Sequence, residues 1–265
     1  MEQAARIAGI VLVLLGAATL LAYALQRTLI YYPSDARLEA LESLAAREGL
    51  FPWRNADRSF IGWRTQEGSG SPVLVVHGNA GHAFHRSHVV SRLRKAGINS
   101  PIYILEYPGY GARQGAPTEN SLVAAALEGI DLLPRRIVLL GESLGSAVAC
   151  QAAARRRESV AGLVLLTPFD SLITVARKHY PVVPSGLILK DRYESSRALQ
   201  DFHRPVSVIM AEHDTIVPAE STRKLFESYS GPKKLWQLST SGHNEVLWDI
   251  SDGDLRAAFK FASGE

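Results

Sequence analysis

From about Phe51 onward, short apolar runs alternate with stretches whose apolar positions recur at helical spacing. Ser59–Thr65 alternates apolar and polar residues, as a half-buried strand does. Val73–Val76, Ile102–Leu105, Ile137–Leu140, Leu163–Leu166 and Val206–Met210 are apolar throughout, or nearly so. That is the pattern of strands covered on both faces. Leu235–Leu238 is a weaker last run. Between them the 3.6-residue period predicts helices over His85–Ala96, Glu119–Leu132, Ser146–Arg155, Ala219–Ser228 and Glu245–Phe261. Strand–helix alternation of this kind implies right-handed crossovers and a mostly parallel sheet with helices on both faces, an α/β fold. Residues 167–197 interrupt the alternation and carry the prolines of PVVP; they are expected to form at most a small cap. Residues 34–50 read as a charged, Leu/Ala-rich helical linker. The expected organisation is 1–30, 31–50 as linker, and 51–265 as the main domain.

The first thirty residues differ in kind. From Ile7 to Gln26 there is no charge. Twenty helical residues at about 1.5 Å each span about 30 Å, the thickness of a bilayer's hydrocarbon core. Arg6 and Arg27 bracket the run, and Tyr23, Tyr31 and Tyr32 suit a membrane interface. The expectation is an uncleaved single-pass anchor. Its rival is a cleaved signal peptide, with Ala22-Tyr23-Ala24 as the processing site and a secreted or periplasmic product. A buried core helix is a third reading. Arg6 on one side and Arg27 and Arg37 on the other give no firm vote on the side of the membrane.

Composition adds exclusions. Apolar residues make up 46% of the chain and charged residues 21%, with net charge +3 and pI near 9.0. The basic clusters Arg135–Arg136 and Arg155–Arg157 are short, accompany no nucleic-acid motif, and read as solvated helix faces. A single cysteine, Cys150, excludes an intrachain disulfide and any multi-cysteine metal site.

The chemistry centres on residues 141–145, GESLG. In a parallel sheet, ligands bind beyond the carboxyl ends of the strands, so catalytic residues should follow strands directly. Ser143 lies three residues past Leu140, between glycines that permit a sharp strand-to-helix turn. Asp214 in AEHDTIVP follows the Val206–Met210 run, and His243 in TSGHNEV follows the last one. A serine hydroxyl needs an imidazole to take its proton, and a carboxylate to orient that imidazole. The chain order Ser, Asp, His is that of the α/β-hydrolase arrangement. Asp170 in TPFDS also follows a strand and is the rival acid. HGNAG, residues 77–81, follows Val73–Val76 and offers the Asn79 N–H; Leu144, just after Ser143, offers a second donor for an oxyanion hole. His77, His82, His85 and His88 raise a metal reading, but their spacing fits no metal motif and no carboxylate lies among them. No metal is expected. Phe84, Tyr110, Phe169 and Tyr180 lie near strand ends, where an acyl pocket and ordinary core packing are both open to them.

HGNAG, EYPGYGARQGAPTE, GESLGSAVA, TPFDSL, AEHDTIVP and SGHNE, in that order, resemble the membrane-anchored α/β-hydrolase-domain serine hydrolases. The resemblance covers residues 28–250. It implies the α/β-hydrolase fold with little cap, Ser143 as nucleophile, Asp214 as acid, His243 as base, and Asn79 and Leu144 as oxyanion donors. It also implies hydrolysis of esters or thioesters, commonly of acyl lipids or acylated proteins. With a complete Ser, Asp and His set no cofactor is expected, and the expected partner is a small-molecule or lipid ester at a membrane. Glu106 stands where that family usually has Asp in its D-Y-x-G-Y-G block. The competing class is a catalytically silent membrane-bound scaffold that binds a lipid or protein. Chain length of the acyl group, leaving group and oligomeric state are left open.

Overall fold

A computed structural model describes residues 1–66, 68–134 and 136–264 of the chain; Arg135 of the first basic cluster lies outside them. The N-terminal helix α1 (Glu2–Ile30) ends where Tyr31 turns to extended backbone, and leads into a two-residue strand β1 (Tyr32–Pro33). The linker helix α2 (Leu38–Arg47) is followed by two antiparallel strands, β2 (Leu50–Arg54) and β3 (Phe60–Thr65). The pattern did not announce β2, whose Pro52 breaks the run; at the sheet edge proline is tolerated. After β4 (Val73–Val76) comes β5 (Ala80–Gly81), which pairs parallel with β1.

The α/β alternation then proceeds as the periodicity implies: α3 (Ser87–Lys95), β6 (Ile102–Leu105), α4 (Glu119–Asp131), β7 (Ile137–Glu142), α5 (Leu144–Arg155) and β8 (Val160–Leu166). The 167–197 insert holds α6 (Leu172–His179) and α7 (Ser185–Ile188) and ends in α8 (Ser195–Ala198). The chain finishes with β9 (Val206–Ala211), α9 (Ala219–Ser228), β10 (Lys233–Leu238), α10 (Val246–Asp249) and α11 (Asp252–Ser263). The single helix expected over Glu245–Phe261 is thus two. Ile250 turns to extended backbone, and Ser251 caps α11 by accepting from the Asp254 N–H.

The main sheet has eight strands in the order β10-β9-β8-β7-β4-β6-β3-β2, parallel except for β2 and β3. Alternate residues of each apolar strand point to opposite faces. Leu74, Val76, Leu139, Leu163 and Leu165 pack beneath α4 and α5, whereas Val73, Val75, Val138, Leu140 and Val164 pack beneath α3 and α11. Both faces are buried, which is why the runs carry no polar alternation. Thr118 caps α4, and its side chain and that of Ser121 form a reciprocal capping box. Cys150 is buried in α5, where desolvation pushes its thiol well above the ordinary range.

Candidate active site

β7 delivers Ser143 to a turn that only small neighbours allow. A Cβ at residue 145 would stand 2.0 Å from the Val76 carbonyl oxygen, and one at residue 141 would stand 2.6 Å from the Ser146 Cα. Both positions therefore have to be glycine for α5 to start this close to β4. Ser143 itself has φ +51° and ψ −118°, a sparsely populated conformation that costs on the order of 1–3 kcal/mol. Its backbone is held by Ser143 N–H to Leu166 O at 2.9 Å, and by Ser146, whose N–H and hydroxyl both donate to Ser143 O.

Around that serine the structure assembles residues from distant parts of the chain. His243 Nε2 lies 2.9 Å from Ser143 Oγ, and His243 Nδ1 lies 2.6 Å from Asp214 Oδ2. A carboxylate only accepts, so the hydrogen sits on Nδ1 and the Nε2 lone pair faces the serine hydroxyl. The Asp214 side chain is 2% exposed; its other oxygen accepts the N–H groups of Ile216 and Val217 at 2.8 and 2.7 Å. Those bonds orient the carboxylate toward the His243 ring. The rival acid, Asp170, is committed elsewhere: it accepts from Ser221 Oγ and Thr174 Oγ1 and pairs with Lys224.

The loop after β4 lies against the serine. Asn79 and Leu144 both border the cavity beside Ser143. The Asn79 side chain donates to Ile30 O at 2.9 Å, so its amide is spent on α1. The EYPGYG segment acts as the clamp on this loop. Tyr107 Oη donates to His77 O and Tyr110 Oη to Asn79 O, each at 2.8 Å, and Glu106 Oε1 accepts the Ala83 N–H at 3.0 Å. Tyr110 is therefore fully buried as a support of the loop and does not border the cavity. Phe84 packs on Trp63, with ring centroids 5.6 Å apart, also away from the cavity, while Phe169 and Tyr180 do line it.

The histidines of this region take separate partners. His77 Nδ1–H donates to Gly78 O at 2.8 Å; His82 stacks on His85 and His88 on Trp248. Burial lowers the pKa of His82, His85 and His88, which favours their neutral forms. Among the described residues, no three His, Cys, Asp or Glu side chains are grouped to hold a metal ion. Sequence reasoning missed one pair at the site. Glu142, one of the two free positions of the G-x-S-x-G pattern, receives Arg86 through Nε at 2.7 Å and Nη2 at 3.2 Å. Desolvation pushes the Glu142 carboxyl up, but Arg86 outweighs it and holds the group below the usual carboxylate range. The ion pair ties the turn before Ser143 to the segment that follows the HGNAG loop. Arg86 sits in no recognisable motif, so nothing local marked it.

The cavity beside Ser143 has a volume of about 290 Å³. One face of α6 (Leu172, Val175, Ala176 and His179, at helical spacing) lines it, with Phe169 and Val217 deeper in. Chemically, the arrangement can activate a hydroxyl nucleophile at the mouth of an apolar recess.

Residues 73–240 match the model of the Alpha/beta hydrolase family, and the chain belongs to that family. The uncharacterized protein Rv2307c of Mycobacterium tuberculosis is 37% identical over 240 residues, covering 86% of this chain and 83% of its own length. The uncharacterized membrane protein YNL320W of Saccharomyces cerevisiae is 29% identical over 201 residues, 69% of this chain and 70% of its own. Among solved structures, the Pyrococcus furiosus esterase Pf2001 superposes with a TM-score of 0.62 at 17% identity, over 88% of this chain and 96% of its own. That likeness establishes the shared fold.

Proposed function

We propose that the protein is a membrane-anchored serine hydrolase that cleaves carboxylic esters or thioesters of lipid-like acyl groups. The observation that carries this reading is the hydrogen-bonded series Ser143 Oγ, His243 Nε2, His243 Nδ1–H, Asp214 Oδ2, with distances of 2.9 and 2.6 Å. Ser143 Oγ attacks the acyl carbonyl carbon while His243 Nε2 takes its proton. The main-chain N–H groups of Asn79 and Leu144 stabilise the developing oxyanion. Collapse breaks the bond to the alcohol or thiol, which leaves with the proton from His243. Water then attacks the acyl-enzyme, its proton passing to His243, and the acid departs as Ser143 recovers its own. Asp214 keeps the imidazole in the required tautomer throughout. The apolar lining of the cavity supports an acyl group as the part bound there. α1 supports the anchor: it is long and apolar enough to cross a membrane, and most of its surface is exposed. The membrane protein named among the relatives fits the same reading.

A fluorophosphonate probe is expected to label the full-length protein at Ser143. Ser143→Ala should abolish labelling and lower kcat/KM toward a p-nitrophenyl ester by roughly 10³-fold or more. A folded protein that resists the probe and hydrolyses no such ester would overturn the proposal. A cellular effect kept intact by Ser143→Ala would instead favour the scaffold reading.

A further inference from the structure

The recess beside Ser143 is not closed by the hydrolase domain alone. Ala22, Gln26, Leu29 and Ile30 of α1 line it, together with Val183 and Ile188 of the insert. Spacings of four, seven and eight residues put these four on one helix face. Three separate contacts fix that face in place. Gln26, 5% exposed, donates to Ile188 O at 3.2 Å and accepts the Lys190 N–H at 2.7 Å. Arg27 pairs with the buried Asp191 at 3.0 Å. Tyr31 Oη and Tyr193 Oη are hydrogen-bonded at 2.9 Å inside the core. A helix that served only as a tether would need no such register. The Asn79 amide on Ile30 O, and the pairing of β1 with β5, further join the end of α1 to the loop that borders Ser143.

The depth of this wall matters. The uncharged run ends at Gln26, so Ala22 and Gln26 belong both to the bilayer-length segment and to the recess. A helix whose residues 7–26 fill about 30 Å of hydrocarbon therefore brings the mouth of the recess to the hydrocarbon boundary. The rim of the insert is built for the same surroundings. Val182 is 77% exposed and Leu187 85%, and Tyr180 and Ile216, which line the recess, are about half exposed. Left in water, exposed apolar surface of this kind is unfavourable, and α1 adds its own at Leu25 and Leu29. The Lys190 ammonium lies 4.0 Å from the centre of the Tyr23 ring, and α6 ends in Arg177 and Lys178; cations so close to an apolar surface favour anionic lipid headgroups. The volume of about 290 Å³ lies at the small end for ligand recesses, which run from about 300 to 1,000 Å³. It suits one acyl chain and not two.

We infer that α1 is part of the substrate site: its segment from Ala22 to Ile30 and the insert form a lipid-facing groove that takes a single acyl chain from the bilayer and presents its carbonyl to Ser143. This rests on the reading of Ser143 as nucleophile and of α1 as anchor, and it adds the substrate class, a single-chain acyl ester or thioester resident in the membrane.

The test uses the full-length protein in phosphatidylcholine–phosphatidylglycerol vesicles, with two readouts. In the first, laurate carrying a terminal diazirine is photolysed with the protein. Crosslinks are expected on the α1 peptide containing residues 22–30 and on the insert, and the Ala22→Phe variant, which fills the wall, should lose them. Crosslinks confined to other parts of the chain would overturn the inference. In the second, the ratio of kcat/KM for p-nitrophenyl laurate to that for p-nitrophenyl acetate is measured. Ala22→Phe should lower this ratio roughly tenfold or more, whereas Leu21→Phe, one residue away on the lipid side, should keep the wild-type ratio. An unchanged ratio in Ala22→Phe, or an equal fall in both variants, would overturn the groove. Failure of the hydrolase reading looks different: no fluorophosphonate label and no turnover of either ester in the wild type. Crosslinking then decides the groove by itself.

Discussion

Ser143 and its two neighbours show how much a single turn can be asked to do. The serine sits at positive φ because β7 must reverse into α5 within three residues, and Gly145 allows the helix to start against the Val76 carbonyl. Those requirements were legible in GESLG. The partner of Glu142 was not, since Arg86 lies 56 residues earlier with no motif around it. The pair makes a prediction of its own. A carboxyl held below its ordinary range by Arg86 stabilises the fold above the unfolded-state value, about 4.3 for glutamate, and this contribution is lost as pH falls through the lower folded-state value. Glu142→Gln should therefore lower Tm at neutral pH and flatten its decline in acid. Thermal unfolding of both proteins from neutral pH down to about pH 3 checks this; parallel curves would rule the ion pair out as a source of acid lability.

Elements rather than residues explain how His243 is held. It lies in the loop between β10 and α10, and the step from α10 to α11 is where the predicted single helix breaks. Arg92, buried on α3, accounts for the break. Its guanidinium donates to Leu247 O and Ile250 O and pairs with Asp252 at the start of α11. The carbonyls freed by the interrupted helix are thus satisfied from another element. α10 in turn holds the His243 loop, because Ser241 Oγ donates to Asp249. Arg92→Met should destabilise the protein by about 3 kcal/mol, since two buried carbonyls lose their donor. It should also lower kcat more than KM, because His243 loses its support while the recess beside Ser143 is untouched. Urea unfolding and steady-state kinetics of the same variant separate the two effects; a stable variant with wild-type kcat would exclude this chain of support. The Glu245–Phe261 periodicity concealed the break because both short helices turn apolar residues, Val246, Leu247, Leu255, Ala258 and Phe259, to the same cluster.

At the scale of the molecule, a helix of bilayer length is joined to an α/β-hydrolase fold through contacts that run to the recess beside Ser143. The two readings of the N-terminus then predict different molecules. An uncleaved anchor keeps the protein in the membrane fraction through an alkaline carbonate wash and releases it only with detergent. Processing after Ala24 would yield a soluble chain beginning at Leu25, without the Ala22 wall. Fractionation with N-terminal sequencing decides between them, and a soluble chain starting at Leu25 would end the anchor reading.

Local pattern determined a good deal of this. The apolar runs specify the strands because a residue buried on either face of a sheet is polar only where it finds a partner, as Ser207 does in the Ala258 carbonyl, and the position of Ser143, Asp214 and His243 just past those runs follows from the chain direction of a parallel sheet. The tertiary structure decided which long-range pairs form. Asp214 and not Asp170 faces His243, Tyr110 braces the loop and leaves the cavity to Phe169, and α1 docks through Gln26 and Arg27 onto residues more than 160 positions away. Periodicity records which side of an element is buried, but not against what. That choice depends on side chains meeting across the fold at hydrogen-bond distance.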